Sequence, residues 1–473
     1  MAALSLYLLL TWMFLFSLFR TRFAEVLCHA DESSALMEFN RSFRTDTTDW
    51  RCVYPKVHSW SLDGSGDCCS WDGVECDEVT GRVIALDLSS SCLSGTMRPN
   101  TTLFRLVHVE SLNLAFNSFN FSPIPYGFSN LSRLQYLNLS ISDFCSEIPR
   151  DISQLSGLVS LDLTASCETL HLPNMGDLVH NLTGLKELFL SSVSLSSPFP
   201  PVLANFSSLT SLGLASCGLN GDFPVNIFQL PNLEILDIHG NSNLSGFLPK
   251  LHWGSPLKSI YLSNTNFSGE IPASIGNLSL LTKLDASECY FSGSLPSSLG
   301  NLSHLTALVL HRNTLQGQIP VSFADLTQLS VLALSSNNLS GDTLEWVVNL
   351  TTLTFLDISG NSFFLSAGSV RSLSFSLCNF MEPPTSRAPR RSLPPRPPPR
   401  PSSRRPQAKP ETGTSSSTSR PTSPSEMPRR SSSPPPSCPK PYPLHQWPPL
   451  ACSVEDQRVG RVHRVHRERE SEN

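Results

Sequence analysis

The sequence predicts an α/β solenoid, a stack of short repeats that each add one strand to a parallel β-sheet. Three observations predict this fold class. Similar segments begin every 24 residues from Leu257 to Leu353. Apolar residues alternate within each segment, as Leu308 and Leu310 do, which is the period of a strand with one buried side. A small polar residue, often Asn, follows each alternating run.

The repeats number about twelve and are predicted to occupy residues 83–380. Each follows L-x-x-L-x-L-x-x-[N/C/S/T]-x-[L/F]-x-G-x-[I/L/F]-P, the leucine-rich repeat pattern. One repeat cannot bury its own apolar side, so neighbours stack with strands about 4.8 Å apart. We expect the parallel sheet on the concave face and irregular or 3-10 turns on the convex face. The repeats begin at Val83, Val109, Leu134, Leu158, Leu185, Leu209, Leu233, Leu257, Leu281, Leu305, Leu329 and Leu353.

The polar residue after each strand is predicted to hold neighbouring repeats together. It lies where the chain turns inward, so an Asn there can donate to buried carbonyls of adjacent turns. Cys217 and Cys289 occupy the same column and are interpreted as small buried thiols in place of Asn. The Asn members of the column include Asn117, Asn313, Asn337 and Asn361.

Residues 28–82 precede the repeats and predict a cap over the first strand, whose edge and apolar side chains need cover. Residues 31–43, with Leu36, Phe39 and Phe43 on one side, predict an amphipathic helix in that cap.

The cysteines of the cap region are expected to form disulfides rather than a zinc site. Adjacent Cys68 and Cys69 do not make a CxxC knuckle, and thiolates oxidise outside the cell. The predicted framework contains Cys28, Cys52, Cys68, Cys69 and Cys76.

The two ends of the chain differ in kind from the body. Residues 1–27 contain an uncharged apolar run before Arg20 and Arg22, which predicts a cleaved signal peptide, with an uncleaved signal anchor as the alternative. Residues 381–473 hold 22 of the 38 prolines and carry 17 basic against 8 acidic residues, a net of +9. Residues 1–380 have 17 basic and 31 acidic residues, a net of −14. The basic tail is predicted to be disordered, so its charge does not indicate nucleic-acid binding.

Thirteen N-x-[ST] acceptors lie upstream of the tail and support secretion and N-glycosylation. Those in the turns before strands place glycans on the back and flanks, so the strand face is expected to stay open. The acceptors are Asn40, Asn100, Asn120, Asn130, Asn138, Asn181, Asn205, Asn243, Asn266, Asn277, Asn301, Asn338 and Asn349.

The concave strand face is the candidate ligand-binding surface, because aromatic residues and Arg often anchor interfaces. Side chains that depart from the Asp, Ser, Gly or Ala typical of their columns fall mainly in the repeats from Leu257 to Leu305. A solvated sheet face without a ligand could carry the same residue types. The candidates are Phe189, Lys258, Tyr261, Lys283, Glu288, His311 and Arg312.

Catalysis, a metal and a cofactor are not predicted. The sequence has no G-x-S-x-G elbow, H-E-x-x-H pair, phosphate-binding loop or kinase signature set. His239 and His311 share a column but lie three repeats apart, roughly 14 Å by the strand spacing, too far for one metal ion. We therefore expect a binding protein and not an enzyme.

The segments CHADESSALMEF from Cys28 and DCCSWDGVECDEVTGRV from Asp67, with the G-x-[I/L/F]-P endings at residues 269–272, 293–296 and 317–320, resemble plant extracellular leucine-rich repeat proteins. The likeness is greatest to receptor-like proteins typified by the tomato Cf disease-resistance proteins. The resemblance implies recognition of an extracellular peptide or protein ligand, at the outer face of the plasma membrane, and signalling in defence or development through a partner receptor-like kinase.

The resemblance also implies disulfide pairings. It implies a local bridge between Cys69 and Cys76 around Trp71. Cys68 would pair with an upstream cysteine, for which Cys28 and Cys52 compete.

The C-terminal part departs from that family. Receptor-like proteins continue into more repeats, a second cap and a transmembrane helix, whereas residues after Phe380 turn to Pro, Ser and Arg without another long apolar run. The expectation is a chain truncated before the cap and membrane helix. A secreted binding protein, such as a polygalacturonase-inhibitor-like module or a soluble decoy, and a non-functional truncated product are the alternatives.

Overall fold

The computed structural model describes residues 27–61, 67–195, 197–341 and 345–363. Most of the predicted signal peptide and all of the predicted tail at 381–473 lie outside these residues. Two α-helices are described, α1 (Ala30–Asn40) and α2 (Met175–Val179). Within the described residues, no helix combines the length and apolar character needed to cross a membrane.

Short strands dominate the described chain. In order they are β1 (Arg44–Thr45), β2 (Val74–Cys76), β3 (Val83–Asp87), β4 (Leu93–Ser94), β5 (Ser111–Asn113), β6 (Tyr136–Asn138), β7 (Ser160–Asp162), β8 (Glu187–Phe189), β9 (Ser211–Gly213), β10 (Asn220–Asp222), β11 (Ile235–Asp237), β12 (Asn243–Gly246), β13 (Ser259–Tyr261), β14 (Asn266–Glu270), β15 (Lys283–Asp285), β16 (Tyr290–Ser294), β17 (Ala307–Val309), β18 (Thr314–Gly317), β19 (Val331–Ala333), β20 (Asn338–Gly341), β21 (Phe355–Asp357) and β22 (Ser362–Phe363).

The main sheet contains one strand from each repeat, and these repeat strands are parallel, while β2 of the cap joins one edge antiparallel. Its order is β2-β3-β5-β6-β7-β8-β9-β11-β13-β15-β17-β19-β21. The middle residue of each repeat strand pairs with the middle residue of the next, as Leu284 does with Ile260 and Leu308. These side chains are 0 to 1 % exposed, so they form a continuous row in the core. The leucine-rich repeat solenoid is confirmed.

The opposite side of the repeats is made of 3-10 turns, as expected. In the repeats they are Thr102–Arg105, Phe128–Asn130, Arg150–Gln154, Pro201–Asn205, Val225–Gln229, Ala273–Asn277, Ser297–Asn301, Val321–Asp325 and Glu345–Asn349. Helix α2 takes this place between β7 and β8, and two further 3-10 turns, Lys56–Ser59 and Cys68–Ser70, belong to the cap. Pro precedes several of them and fixes an extended backbone at the entry, as Pro272 does with φ of −70°.

The Asn column stitches the repeats together as predicted. Asn313 Nδ2 donates to Ala286 O at 2.8 Å and to Leu310 O at 3.1 Å, and its Oδ1 accepts from Phe291 N at 2.9 Å. Cys217 Sγ replaces part of this pattern by donating to Leu190 O at 3.1 Å. Burial raises the pKa of the Cys217 thiol, so it stays protonated and serves as a buried donor.

A second sheet runs along one flank of the repeats and was not predicted. Its order is β10-β12-β14-β16-β18-β20-β22, and its strands are parallel. It forms from the L-x-G-x segment after the Asn column, where Phe267 and Phe291 point into the core with 0 % exposure. Towards the N-terminus, where repeat lengths vary, the ladder is reduced to isolated bridges such as Glu147 with His171.

The cap closes the first strand in two ways. Strand β2 pairs antiparallel with β3 and covers the edge of the main sheet. Helix α1 buries Leu36 and Phe39, and Glu32 Oε2 accepts from Val83 N at 2.9 Å. The predicted helix was too long, because α1 ends at Asn40. Phe43 lies beyond it and still packs on Phe39, with ring centroids 5.0 Å apart.

Disulfides staple this cap, as expected. Cys69 bonds to Cys76, and Cys28 bonds to Cys68, which decides between the two upstream candidates. Cys52 instead bonds to Cys92 in the first repeat, a residue outside the predicted framework. A fourth bond, between Cys145 and Cys167, joins two neighbouring repeats and was also missed.

Candidate functional site

The candidate site lies on the outward face of the main sheet, around β11, β13, β15 and β17. Strand register places Tyr261 between Asp237 and Asp285, because these residues pair across β11, β13 and β15. Outward side chains here are not needed for the core, whose row of Leu and Ile points the other way. The face therefore offers positions whose chemistry the stacking does not determine.

Glu288 and Arg312 form a charged group after β15 and β17, and His311 lies beside it. Glu288 Oε1 lies 2.7 Å from Arg312 Nη1 and 3.8 Å from His311 Nε2. The side chain of Arg312 is 66 % exposed and that of Glu288 is 40 % exposed, so both remain accessible while paired. An exposed pair of this kind contributes about 0 to 1 kcal/mol to stability.

Glu288 and Arg312 share an unusual backbone conformation, with φ of 52° and 54°. The residue at this repeat position has a positive φ in most repeats, because the chain turns there before the inward Asn. We call these positions the left-handed column. The other repeats fill the column mostly with residues of minimal size. Its left-handed members are Ser90, Phe116, Ile141, Ser192, Ser216, Gly240, Asn264, Glu288, Arg312, Ser336 and Gly360.

Large residues in the left-handed column divide into two groups, Phe116 and Ile141 near the N-terminus and Asn264, Glu288 and Arg312 further along the chain. Near the N-terminus, Ile141 lies beside the cap, where Arg51 Nη1 contacts Ile141 O at 3.5 Å and Asp143 at 2.8 Å. Glu288 and Arg312 are instead exposed to solvent. Since Gly240 adopts the same backbone, the fold requires nothing larger than glycine at these positions.

Lys258 and Lys283 lie at the opposite end of the strands from the charged group, just before β13 and at the start of β15. Lys258 Nζ pairs with Glu234 Oε2 at 2.7 Å on the neighbouring repeat. Lys283 opens β15 and is half-buried, paired in register with Ser259 and Ala307.

Phe189 is separated from the other candidates. It lies on β8, and β9 and β11 intervene before Tyr261 on β13. The ring covers Gly213 on the next strand, where a Cβ would come within 2.5 Å of Phe189 Cδ1. Among the candidates, printed contacts join Glu288, His311 and Arg312, Tyr261 and Lys283 lie on the neighbouring strands β13 and β15, and Phe189 lies roughly 14 Å from Tyr261 by the strand spacing.

Asp237 and Asp285, which flank Tyr261 in register, and His239, which follows β11, were not among the candidate residues. His239 Nδ1 lies 2.7 Å from Asp237 Oδ1. Burial alone would lower the pKa of His239, but the hydrogen bond to Asp237 and the charges of Asp237 and Asp285 outweigh it and raise that pKa. Burial raises the pKa of Asp285. Burial also raises the pKa of Tyr261, and the charges of Asp237 and Asp285 raise it further. The available signal was that His239 and His311 replace small residues in one column.

The acceptor asparagines occupy the flanks with one exception. Asn130, Asn205, Asn277, Asn301 and Asn349 end 3-10 turns, and Asn243, Asn266 and Asn338 begin strands of the second sheet. Asn138 instead ends β6, in the outward column of the main sheet. The expectation that the strand face is free of acceptors is therefore wrong at Asn138. The remaining positions, Asn40, Asn100, Asn120 and Asn181, lie outside the main-sheet strands.

Metal binding has one geometric candidate among the described residues. The sulfur atoms of Cys28, Cys68 and Cys69 lie within 4.8 Å of one another. All three belong to disulfides, so none supplies a thiolate ligand.

Comparison with known proteins agrees with this architecture. A family model described as "Leucine rich repeat N-terminal domain" matches residues 29–77, and one described as "Leucine-rich repeat region" matches residues 248–382. These two segments of the chain are therefore similar to the leucine-rich repeat region and to the N-terminal domain that those models describe.

Its curated relatives are plant receptor-like proteins. The chain is 42 % identical to "Receptor-like protein 6" of Arabidopsis thaliana over 283 residues, which are 54 % of this chain and 27 % of the relative. It is 37 % identical to "Receptor-like protein Cf-9" of Solanum pimpinellifolium over 270 residues, 54 % of this chain and 31 % of the relative. The predicted resemblance to Cf-type receptor-like proteins is confirmed, and the matched region spans about a third or less of these relatives.

Among solved structures, the chain is similar to the Arabidopsis receptor kinase HAESA in complex with the peptide hormone IDA and the co-receptor SERK1. The TM-score is 0.59 at 29 % identity, over 71 % of this chain and 58 % of that chain. The two proteins therefore share the repeat fold over the aligned residues.

Proposed function

We propose that this chain is the extracellular recognition part of a plant receptor-like protein and binds a peptide or protein ligand on its main-sheet face. The observation that carries the proposal is the Glu288–Arg312 pair, 2.7 Å apart, in a column where the fold needs only glycine. A side chain in the left-handed region costs about 1 to 2 kcal/mol. An exposed pair returns about 0 to 1 kcal/mol, so stability does not account for these residues.

The surrounding residues suit a peptide or protein better than a small apolar molecule. Tyr261 supplies an aromatic surface, and Lys283, Glu288 and Arg312 supply charges of both signs. The relative in complex with IDA binds a peptide hormone together with a co-receptor. By analogy, the proposal includes a partner receptor-like kinase that transmits the signal, a non-catalytic role for this chain, and a place at the outer face of the plasma membrane.

The test uses the secreted chain and a displayed library of random peptides as the probe. Binders selected on the wild type are measured against the Glu288→Gly/Arg312→Gly variant. The matched control is Ser192→Gly/Ser216→Gly, which makes the same change in the same left-handed column on other repeats.

We expect the Glu288/Arg312 variant to lose at least about tenfold in affinity, or 1.4 kcal/mol, while the control binds as the wild type does. Both variants should unfold within about 1 kcal/mol of the wild type, since relief of strain and the added flexibility of the unfolded chain offset each other. Unchanged affinity in the Glu288/Arg312 variant would remove this patch from the proposed function.

A secreted binding protein without a signalling partner is the second candidate. Four disulfides within the described residues favour an oxidising extracellular compartment for either role. The two are distinguished by whether a receptor kinase co-purifies with the full chain from plant membranes in a ligand-dependent manner.

A further inference from the structure

Asn138 is an acceptor asparagine that stands on the proposed recognition face. It ends β6 and pairs in register with Asn113 of β5 and Asp162 of β7. Asn138 is followed by Leu139 and Ser140, which completes the N-x-[ST] signal, whereas Asn113 is followed by Leu114 and Ala115.

The local geometry leaves the amide nitrogen of Asn138 available. Its Oδ1 accepts from Ser140 N at 2.9 Å, as Asp162 Oδ1 does from Thr164 N at 2.9 Å. Within the described part of the chain, the hydrogen bond given for the Asn138 side chain is the one that Oδ1 accepts, none is given for Nδ2, and the residue is half-buried. A group attached to Nδ2 would therefore break no bond that the stack depends on.

Tyr136 places an exposed aromatic ring on the same strand as Asn138. Tyr136 lies two residues earlier on the same side of β6, and it is 48 % exposed. Side chains at this spacing on a strand are about 6.6 Å apart, close enough for the ring to lie against the first sugar of a glycan. Sugar C–H groups pack on aromatic faces, so Tyr136 offers a surface against which that sugar can lie.

We propose that Asn138 carries an N-linked glycan that projects from the main-sheet face beside Tyr136 and limits the ligand to the strands on its C-terminal side. In the transfer, a bond forms between Asn138 Nδ2 and C1 of N-acetylglucosamine. The bond from C1 to the phosphate oxygen of a lipid-pyrophosphate-linked oligosaccharide breaks. The amide gives up one proton, and the lipid pyrophosphate leaves.

The structure also sets the order of events. Ser140, which the acceptor signal requires, is only 3 % exposed in the folded stack. Transfer to Asn138 therefore precedes the packing of β7 against β6. The charged group at β15 lies six strands away from β6, roughly 29 Å by the strand spacing, so the glycan does not cover it. Only this last consequence rests on the proposed ligand face.

Site-specific glycopeptide mass spectrometry on the secreted full chain tests the attachment. Asn138 should be occupied in most molecules, and Asn113 in none. Hydroxyl-radical footprinting then tests the placement: Tyr136 should be labelled several-fold more in Asn138→Asp than in the wild type. Asp suits the fold because Asp87, Asp162 and Asp237 occupy the same column.

Two controls separate the glycan from folding effects. Asn130→Gln removes an acceptor in a 3-10 turn and should leave Tyr136 labelling unchanged. Enzymatic removal of the glycan from folded wild-type protein should reproduce the Asn138→Asp labelling. An unmodified Asn138 in protein whose other acceptors are occupied would overturn the proposal, and so would equal Tyr136 labelling with and without the glycan. Neither readout involves a ligand, so failure here is distinct from failure of the peptide-binding test.

Discussion

Replacement of Asn241 by Ala should destabilise the repeat stack far more than loss of an exposed asparagine. Asn241 is 1 % exposed and belongs to the column that joins successive repeats. Its Nδ2 donates to Leu214 O at 2.9 Å and to Ile238 O at 2.8 Å. Its Oδ1 accepts from Cys217 N and Leu219 N, both at 3.0 Å.

The magnitude follows from what the substitution leaves behind. Ala removes four short hydrogen bonds and leaves two buried N–H groups and two buried carbonyls without the partner that Asn241 supplied. Each unsatisfied buried group costs about 1 to 3 kcal/mol. The losses are not additive, because water can enter the space vacated by the amide. We expect a loss of about 3 to 5 kcal/mol in the free energy of unfolding.

Urea denaturation of the secreted chain, followed by circular dichroism, measures this loss. Asn232→Ala is the control, since Asn232 is exposed and donates once, to Ser207 O at 2.8 Å, so its removal should cost about 0.5 to 1 kcal/mol. Asn241→Cys should fall between the two, because Cys217 shows that a thiol in this column donates to carbonyls of adjacent turns, while sulfur is a weaker acceptor than the amide oxygen. A cost at Asn241 no greater than at Asn232 would refute the view that this column holds the repeats together.

Three further predictions concern other parts of the structure. Gly213→Val should displace the ring of Phe189, because even a Cβ at this position would lie 2.5 Å from Phe189 Cδ1. Radical footprinting should then show increased labelling of Phe189, while the midpoint of urea unfolding changes little. Cys52→Ser/Cys92→Ser should cost about 2 to 5 kcal/mol through loss of the bond between cap and first repeat, measured by thermal unfolding. The raised pKa of His239 makes its contribution to stability fully present below the unfolded value of about 6.5 and lost as pH rises through the higher folded value. His239→Gln should therefore reduce the fall in melting temperature between mildly acidic and mildly alkaline buffer, and an unchanged fall would contradict the assignment.

The main sheet could be predicted from the sequence because the residue pattern within each repeat indicates its own strand and turn. Leu308 and Leu310 give the strand period, and Asn313 marks the inward turn. Stacking then repeats the same register, so one correct repeat predicts its neighbours.

The second sheet and two disulfides required information that no single repeat contains. Strands such as β16, with Tyr-Phe-Ser-Gly-Ser, are rich in turn-forming residues and become strands only because the neighbouring repeat supplies hydrogen-bond partners. Cys52 pairs with Cys92 because the cap folds back against the first repeat, and sequence spacing does not specify that approach.

The left-handed column connects the predictable and unpredictable parts of the site. Gly240 and Gly360 in the column were visible in the sequence and, together with the Ser residues, were consistent with positive φ. That conformation distinguishes Glu288 and Arg312 from other surface charges, because glycine would adopt the same backbone and both side chains are exposed rather than part of the core. Their proximity, 2.7 Å across two repeats, exists only in the folded stack. In the proposed function, Glu288 and Arg312 serve a partner outside the chain, and they stand at positions whose side chains the repeat pattern leaves undetermined.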